Sequence, residues 1–269
     1  MIRTVERKKK NIMENVRRRV KAGRLTNVRT RTPVMSVEEV LFTRGIITKH
    51  TRDMATFNLN KQLIYKLKDL YATSEREKAE YVGAITFEVV GQLVKFKSPT
   101  KRTNRNPIAV TAPANIISNY IVYHSHPVPP SVPRNMTVVT LPSQDDFSLF
   151  INGYPKLQTN IVLERHGFYV IDIIESTLTN KPDPYEAYQM FLRLLVNKNI
   201  EQYAYTGPSP HLIALFAVSI TSWKKLINVY IDEVMRHMFS MSVRYFTYAE
   251  TPEITIVNPG SIPAPMTLG

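Results

Sequence analysis

Apolar residues recur at helical spacing in one early segment and at strand spacing in the segments that follow it. The apolar residues between Leu63 and Leu70 stand three or four positions apart, which predicts an amphipathic helix. The next segment, YVGAITFEVVGQLVKF at 81–96, is rich in β-branched and aromatic residues and predicts strand. After a basic loop, IAVTAPANIISNYIVY at 108–123 predicts a strand, a connection and a second strand.

The second half of the chain begins with a hairpin pattern and continues with a helical one. Apolar residues alternate on both sides of Gly167 in TNIVLERHGFYVIDII, at 159–174, which predicts a β-hairpin. Further on, Asp183 suits a helix N-cap and is followed by a proline and, at the third helical position, by Glu186. We expect this helix to run to about Tyr203.

Together these patterns predict a mixed α/β fold, a mixed sheet flanked by helices, with additions at both ends. A further helical stretch is expected from Ser209 to about Tyr245, in one or two pieces, and the proline-rich end of the chain predicts an extended arm. The predicted units are a basic N-terminal arm at 1–35, the α/β domain at 36–180, a C-terminal helical extension at 181–248 and an extended C-terminal arm at 249–269.

Positive charge is concentrated at the N-terminal end of the chain. Of the net charge of +13, residues 1–32 carry +10, from twelve Lys or Arg and two Glu. A segment with blocks of like charge and few large apolar residues gains little by collapse, so we expect it to order only on a partner. Non-specific nucleic-acid contact through residues 1–32, contact with an acidic protein surface and contact with anionic lipid each suit such an arm.

The 269-residue chain contains no cysteine, which excludes disulfides, thiolate catalysis and cysteine-ligated zinc. Any transition-metal site must then be built from His, Asp and Glu. The N-terminal residues are charged, so no secretory signal is expected, and the apolar segment HLIALFAVSI at 211–220 is too short to span a membrane. These features favour an intracellular protein, cytoplasmic or nuclear, or a component of a virion.

Two histidines stand at the end of a predicted strand, in the sequence YIVYHSHP. Side chains two residues apart on a strand point to the same face, so His124 and His126 can reach one ion. A zinc site needs a third protein ligand. Asp146 is our candidate, because it falls in the first turn of a helix for which Ser143 suits the N-cap. Asp145 is the alternative if that helix begins differently.

A hydrolytic site also needs a group that accepts a proton from water. Glu80 stands at the junction between the first predicted helix and the strand that begins at Tyr81, where an acid can face the end of the sheet. Glu88 is the alternative base, although it falls in the middle of a predicted strand. We therefore take Glu80 as the candidate.

The candidate residues occur in the order of a known signature. The segments AEYVGAIT, HSHP and SQDD resemble the Glu, His-x-His-Pro and Ser-x-x-Asp motifs of the JAMM/MPN metalloprotease family, also called the JAB domain. The predicted helix before Glu80 and the predicted hairpin at 159–174 also match the family pattern. The resemblance covers residues 56–175 and leaves both flanks of the chain outside it.

The resemblance implies an α/β fold akin to that of cytidine deaminases and a zinc-dependent isopeptidase or peptidase activity. His124, His126 and Asp146 would then hold Zn²⁺. Glu80 would act as general base towards water and then as acid to the leaving amine. Ser143 would donate a hydrogen bond to the developing oxyanion.

Two departures from the family pattern concern the surroundings of this site. The sixteen residues between His126 and Ser143 form a longer, proline-rich spacing than the family has. This insert is either a surface loop or a segment that reshapes the groove for an extended substrate. Phe87 stands where the family has a second glycine, which concerns packing and substrate approach more than metal binding.

Two functions are therefore expected in competition. The first is a zinc-dependent JAMM-type isopeptidase or peptidase that acts on a ubiquitin-like or other extended peptide and is tethered to a larger assembly by its arms. The alternative is a non-catalytic MPN-fold component of a large complex, such as a viral capsid or nucleoprotein particle, in which the arms bind protein partners.

Overall fold

The structure is a computed structural model that describes part of the chain. The described residues are 44–51, 54–90, 93–96, 102–103, 119–128, 137–173, 181–196, 205–206, 213–216 and 219–257. The basic arm predicted at 1–35 lies outside these residues, and so does the last part of the predicted C-terminal arm, 258–269.

In the described part of the chain, runs of two to six strands are separated by helices. The strands are β1 (Arg44–Thr51), β2 (Met54–Asn58), β3 (Tyr81–Ile85), β4 (Phe87–Val90), β5 (Leu93–Phe96), β6 (Arg102–Thr103), β7 (Ile121–Ser125), β8 (Val138–Thr140), β9 (Thr159–Leu163), β10 (Gly167–Ile173), β11 (Tyr205–Thr206), β12 (Ile213–Phe216), β13 (Met241–Thr247) and β14 (Glu253–Val257). The α-helices are α1 (Lys61–Glu77), α2 (Gln144–Gly153), α3 (Pro184–Val196), α4 (Ile220–Lys225) and α5 (Asp232–Phe239). A π-helical segment (Leu226–Ile231) joins α4 to α5. None of the described helices has both the length and the hydropathy needed to cross a bilayer.

The strands form three sheets, which confirms the predicted mixed α/β class. The central sheet has six strands in the order β13-β10-β9-β7-β3-β6, and within it β7 and β9 run parallel while their neighbours pair antiparallel. A five-stranded antiparallel sheet has the order β14-β2-β1-β5-β4, and a three-stranded sheet has the order β11-β12-β8. The hairpin predicted at 159–174 is present as β9 and β10.

The central sheet separates two hydrophobic cores, because side chains alternate between its faces. Val122 and Val162 point to one face, where they pack with residues of helices α2 to α5. Tyr123 and Ile161 point to the other face, where they pack with α1 and the five-stranded sheet. The chain is therefore layered, and the central strand β7 is covered on both sides.

Helix α1 confirms the amphipathic helix predicted around Leu63 to Leu70. Asn60 caps its first turn by accepting a hydrogen bond from Leu63 N at 2.9 Å. The helix ends at Lys78, whose φ of 53° is in the left-handed region and turns the chain away from the helix axis. Only Ala79 and Glu80 separate Lys78 from the first residue of β3, so the end of α1 fixes where Glu80 stands.

The C-terminal third differs from its prediction, because it is built into the layers. Strand β13 pairs with β10 along its whole length, and β14 pairs with β2, so the predicted arm at 249–269 contributes a strand. Helices α3 to α5 share the core on one face of the central sheet, so the predicted extension at 181–248 does not stand outside the α/β unit. Helix α3 begins after Asp183 as predicted and covers Pro184–Val196, and the rest of the predicted helix, 197–203, lies outside the described residues.

The outer edge of β13 is closed by side chains from the helical layer. The Asn228 amide accepts from Tyr245 N at 2.6 Å and donates to Tyr245 O at 2.8 Å. Asp232 accepts from Val243 N at 2.9 Å. These contacts satisfy backbone groups that an edge strand otherwise leaves open to another chain, and they tie the π-helical segment and α5 to the sheet.

Strand β14 should contribute to global stability if it belongs to the core. Ile254 is fully buried in the core shared with α1, so Ile254→Ala should lower the free energy of unfolding by about 2–5 kcal/mol. Chemical denaturation measures the change. Thr251→Ala, at an exposed position just before the strand, is the control and should leave stability close to that of the wild type. Equal stability of the two variants would show that β14 is a dispensable arm.

Candidate metal centre

The candidate residues come together at one edge of the central sheet. Strands β7 and β9 are parallel, so their carboxyl ends meet at this edge, and β3 is antiparallel to β7, so its amino end lies there too. His124 stands opposite Val82 on β3 and opposite Val162 on β9. Both valines belong to the core on the α2 side, so the His124 side chain points towards α2.

His124, His126 and Asp146 form a compact group, which we call the metal cluster. The Nε2 atoms of the two histidines are 3.1 Å apart. Asp146 Oδ1 lies 2.8 Å from His124 Nε2, and Asp146 Oδ2 lies 3.5 Å from His126 Nε2. One ligand atom from each residue lies within 4.8 Å of the others, so the metal cluster can hold a metal ion.

Asp146 is held in place by the start of α2. Ser143 N donates to Asp146 Oδ2 at 2.6 Å, and Asp146 N donates to Ser143 Oγ at 3.3 Å, which together form a capping box. The helix therefore begins as predicted, with Asp146 at its third position and turned inward. Asp145, the alternative ligand, is exposed, which decides between the two acids.

His126 is fixed in one orientation by the end of the proline-rich insert. Its Nδ1 lies 2.8 Å from Leu141 O, and a carbonyl can only accept, so Nδ1 carries the proton and Nε2 keeps a lone pair for an ion. The Thr140 hydroxyl donates to His126 O at 3.1 Å. The last residues of the insert thus form β8 and support a candidate ligand, whereas residues 129–136 lie outside the described part of the chain.

His124 has a buried polar neighbour that the sequence did not identify. Asn160 is the second residue of β9, and its side chain points to the same face of the sheet as that of His124. Its Nδ2 donates to Asp146 O at 3.3 Å. Its side chain also acts to raise the pKa of His124. Within the described part of the chain, neither His124 Nδ1 nor Asn160 Oδ1 makes a hydrogen bond of standard geometry.

Charges within the metal cluster set its protonation. Burial lowers the pKa of His126 to about 4, so this ring is neutral at physiological pH. Burial also opposes charge on His124, but Asp146 and, more weakly, Glu80 raise the pKa of His124 above its ordinary value. Burial alone would raise the pKa of Asp146, yet the two histidines hold it well below its usual range. The Asp146 carboxylate therefore favours a positive charge beside it, which a bound cation would supply.

The donor set fits a transition metal that accepts nitrogen and oxygen ligands. Two imidazoles and one carboxylate give three protein ligands, the number found at catalytic zinc sites, where a further position stays open. All three side chains lie just under the surface, with 7%, 3% and 6% exposure for His124, His126 and Asp146. Two fully buried polar residues, Thr140 and Asn160, donate hydrogen bonds to the backbone of His126 and Asp146.

The two predicted catalytic residues, Glu80 and Ser143, lie beside the metal cluster. Glu80 precedes β3, and extending the β3–β7 register by two residues places it opposite His126. Glu80 is 8% exposed, and its negative charge acts to raise the pKa of His124, which requires proximity. Ser143 is 6% exposed and its oxygen accepts from Asp146 N, which leaves the hydroxyl proton able to be donated to another group. Glu88 lies on β4 in the five-stranded sheet, away from this edge.

A fully buried acid, Glu164, follows β9 at the same edge. Tyr245 donates its hydroxyl proton to Glu164 Oε1, and His166 N donates to the same atom at 2.8 Å. Burial nevertheless raises the pKa of Glu164 to about 7, because these hydrogen bonds do not replace the lost hydration. Tyr169 lies against Tyr245 and accepts from Trp223 Nε1 at 3.0 Å, so the aromatic residues here serve packing.

Sequence reasoning missed Thr140, Asn160 and Glu164. Asn160 and Glu164 stand two positions on either side of Val162, so all three side chains share one face of a strand whose pattern is otherwise apolar. A polar residue on a buried strand face was the available signal. Thr140 gave no such signal, because its role depends on where the insert returns to the sheet.

No family model, curated protein or solved structure matches this chain. The description of the site as a metal centre therefore depends on its own geometry. That geometry brings together residues from the end of β7 and the first turn of α2, which are separated by the whole insert.

Loss of one imidazole should abolish tight metal binding. His126→Ala leaves two ligands, so bound zinc after dialysis should fall from one per chain to a small fraction, and affinity should drop by at least about 100-fold. Elemental analysis and competition with a chromogenic chelator measure both quantities. His237→Ala removes an exposed histidine on α5 and should retain the wild-type zinc content. Equal zinc in both variants would exclude the metal cluster as the binding site.

Glu164 should make stability depend on pH. Its raised pKa means that the folded chain keeps a proton that the unfolded chain has already released. The contribution of Glu164 to the free energy of unfolding is therefore fully present below pH 4.5 and is lost as pH rises through about 7. The loss approaches about 3 kcal/mol for the full shift. Denaturation of metal-free protein at several pH values should show this slope in the wild type and in the exposed-site control Glu186→Gln, but not in Glu164→Gln. Parallel pH profiles would contradict the assignment.

Proposed function

We propose that the protein is a zinc-dependent hydrolase of the JAMM/MPN type that cleaves peptide or isopeptide bonds. The observation that carries this proposal is the convergence of Glu80, Ser143 and the metal cluster at one sheet edge. These groups come from the end of α1, the end of β7 and the start of α2. A resemblance that depended on short motifs alone would not require them to meet in space.

The residues present suit hydrolysis of an amide. A zinc ion held by the metal cluster would supply a Lewis acid that polarises a carbonyl and lowers the pKa of water. Glu80 is the group that accepts the proton of the attacking water and then delivers it to the leaving nitrogen. Its side chain is buried apart from a small exposed fraction, so it can face a substrate without being surrounded by solvent.

Ser143 is suited to stabilise negative charge on the substrate oxygen. Its oxygen accepts from Asp146 N, which orients the hydroxyl at the start of α2. As the N-cap residue, Ser143 lies beside the positive end of the helix dipole. A donor that is already oriented need not reorganise during the reaction, which is the basis of oxyanion stabilisation.

The substrate is proposed from the resemblance, which implies a ubiquitin-like tail or another extended peptide.

The second candidate function is a non-catalytic component of a large assembly. The net charge of +10 within residues 1–32 favours this function, because such an arm suits a polyanionic partner. The two functions make opposite predictions for cleavage and the same prediction for metal content, so one experiment separates them.

Glu80→Gln should abolish cleavage and keep the metal. The amide has the shape of the carboxylate but cannot accept the proton, so turnover of linked ubiquitin chains and of an extended peptide panel should fall by about 10²–10⁴-fold. Zinc content, measured on the same samples, should remain that of the wild type. Glu186→Gln changes an exposed acid on α3 in the same way and should retain full turnover.

The outcome that contradicts hydrolysis is a wild-type protein that holds one zinc per chain and cleaves no member of either substrate set. That result would favour the non-catalytic function. A Glu80→Gln variant with wild-type turnover would keep the activity but remove Glu80 from it.

A further inference from the structure

The serine between the two histidines faces the opposite side of the sheet. Because side chains alternate along β7, Ser125 points towards α1 while His124 and His126 point towards α2. Ser125 is fully buried, and its Oγ lies 2.6 Å from the Oγ of Ser74, which is also fully buried. Two hydroxyls thus meet between β7 and the last turns of α1.

The direction of each hydrogen bond in this pair is determined. Ser74 donates its only hydroxyl proton to Ala79 O at 2.7 Å, so in the contact between the serines Ser125 must be the donor. Ser125 Oγ in turn accepts from Tyr81 N at 2.9 Å. Each hydroxyl therefore donates once and accepts once, in a chain that runs from Tyr81 N to Ala79 O.

The two ends of this chain are the peptide groups on either side of Glu80. Ala79 O precedes Glu80 and Tyr81 N follows it, so the two serines close a ring around the backbone of that residue. A further hydrogen bond, from Ala79 N to Ser74 O at 3.1 Å, anchors the same short connection to α1. This ring fixes the short connection between Lys78, whose backbone is in the left-handed region, and the first residue of β3.

We infer that Ser74 and Ser125 are positioning residues that fix Glu80 relative to the metal cluster. Ser125 is attached directly to both histidines, so the residue that holds the Glu80 backbone also belongs to the strand that supplies two ligands. The two hydroxyls therefore fix the position of Glu80 relative to the two histidines. The packing of α1 against the sheet is not the only contact that does so. The inference rests on the proposed function in that it takes Glu80 as the base.

A packing role for the two serines would look different. Buried serines that only fill space would affect stability, and their removal would leave the relation between Glu80 and the ligands unchanged. Ser74 discriminates between the two roles better than Ser125, because it lies on α1, on the far side of the sheet from the metal cluster. Thr73 provides the matched control, since its hydroxyl donates to Asp69 O within the same helix and does not enter the ring.

The experiment compares cobalt-substituted proteins, because the visible absorption of cobalt reports the surroundings of the ion without any substrate. Spectra are recorded for the wild type, Ser74→Ala, Glu80→Gln, the double variant of these two, and Thr73→Ala. We expect Ser74→Ala to change the spectrum in the same sense as Glu80→Gln, and the double variant to match Glu80→Gln alone. Thr73→Ala should give the wild-type spectrum.

Two further measurements accompany the spectra. Exchange of the Tyr81 amide proton should accelerate by about tenfold or more in Ser74→Ala, because its acceptor Ser125 loses its own partner. If a substrate is cleaved, kcat should fall by about 10–100-fold with KM nearly constant, as expected for a displaced base. Ser74→Cys, which fills the same space and keeps a weak donor, replaces alanine if Ser74→Ala folds poorly, and it should shift each quantity less.

Two results would overturn the inference. A wild-type spectrum in Ser74→Ala, despite faster Tyr81 exchange, would show that Glu80 does not depend on the ring. If Ser74→Ala changed the spectrum by the same amount in the wild type and in Glu80→Gln, Ser74 would act through the ligands and not through Glu80. A wild-type protein that takes up cobalt and cleaves nothing would contradict the proposed function alone, since the spectra would still show whether the serines place Glu80.

Discussion

The alternation of side chains along β7 is the constraint on which the rest of the structure depends. It sends His124 and His126 to one face of the central sheet and Ser125 to the other. The first face receives Asp146 from α2, and the second receives Ser74 from α1. A shift of one residue in the pairing of β7 would exchange the two faces and bring the histidines under α1, so the register of this strand determines whether the centre exists at all.

The sequence was sufficient for the parts of the site that local rules govern. The spacing of two histidines on a strand and the capping box of Ser143 and Asp146 depend on a few neighbouring residues, and both are present in the structure. Asn160 and the pair of Ser74 and Ser125 could not be found in this way. Their roles depend on which strand lies beside β7 and on how far α1 extends, and single-residue patterns do not specify either.

The same limit applies to the fold. Helix α1 and the β9–β10 hairpin have strong periodic patterns and were predicted, as was the mixed α/β class. Strand β13 was taken as the end of a long helix, because a short apolar run after a helix has no clear period of its own. Strand β14 was taken as an arm because prolines and small residues surround it, although its alternate residues Ile254 and Ile256 are buried.

The double role of Asp146 would couple a bound ion to the architecture. One carboxylate both caps α2 and faces the histidines of β7, and α2 packs through Phe147 against Phe191 of α3 at 5.6 Å between ring centroids. An ion in the metal cluster would thus clamp the helical layer to the sheet as well as serve chemistry. By mass action, the melting temperature of the protein would then rise with the free concentration of that ion, so the stability of the fold would report how much of the ion is available.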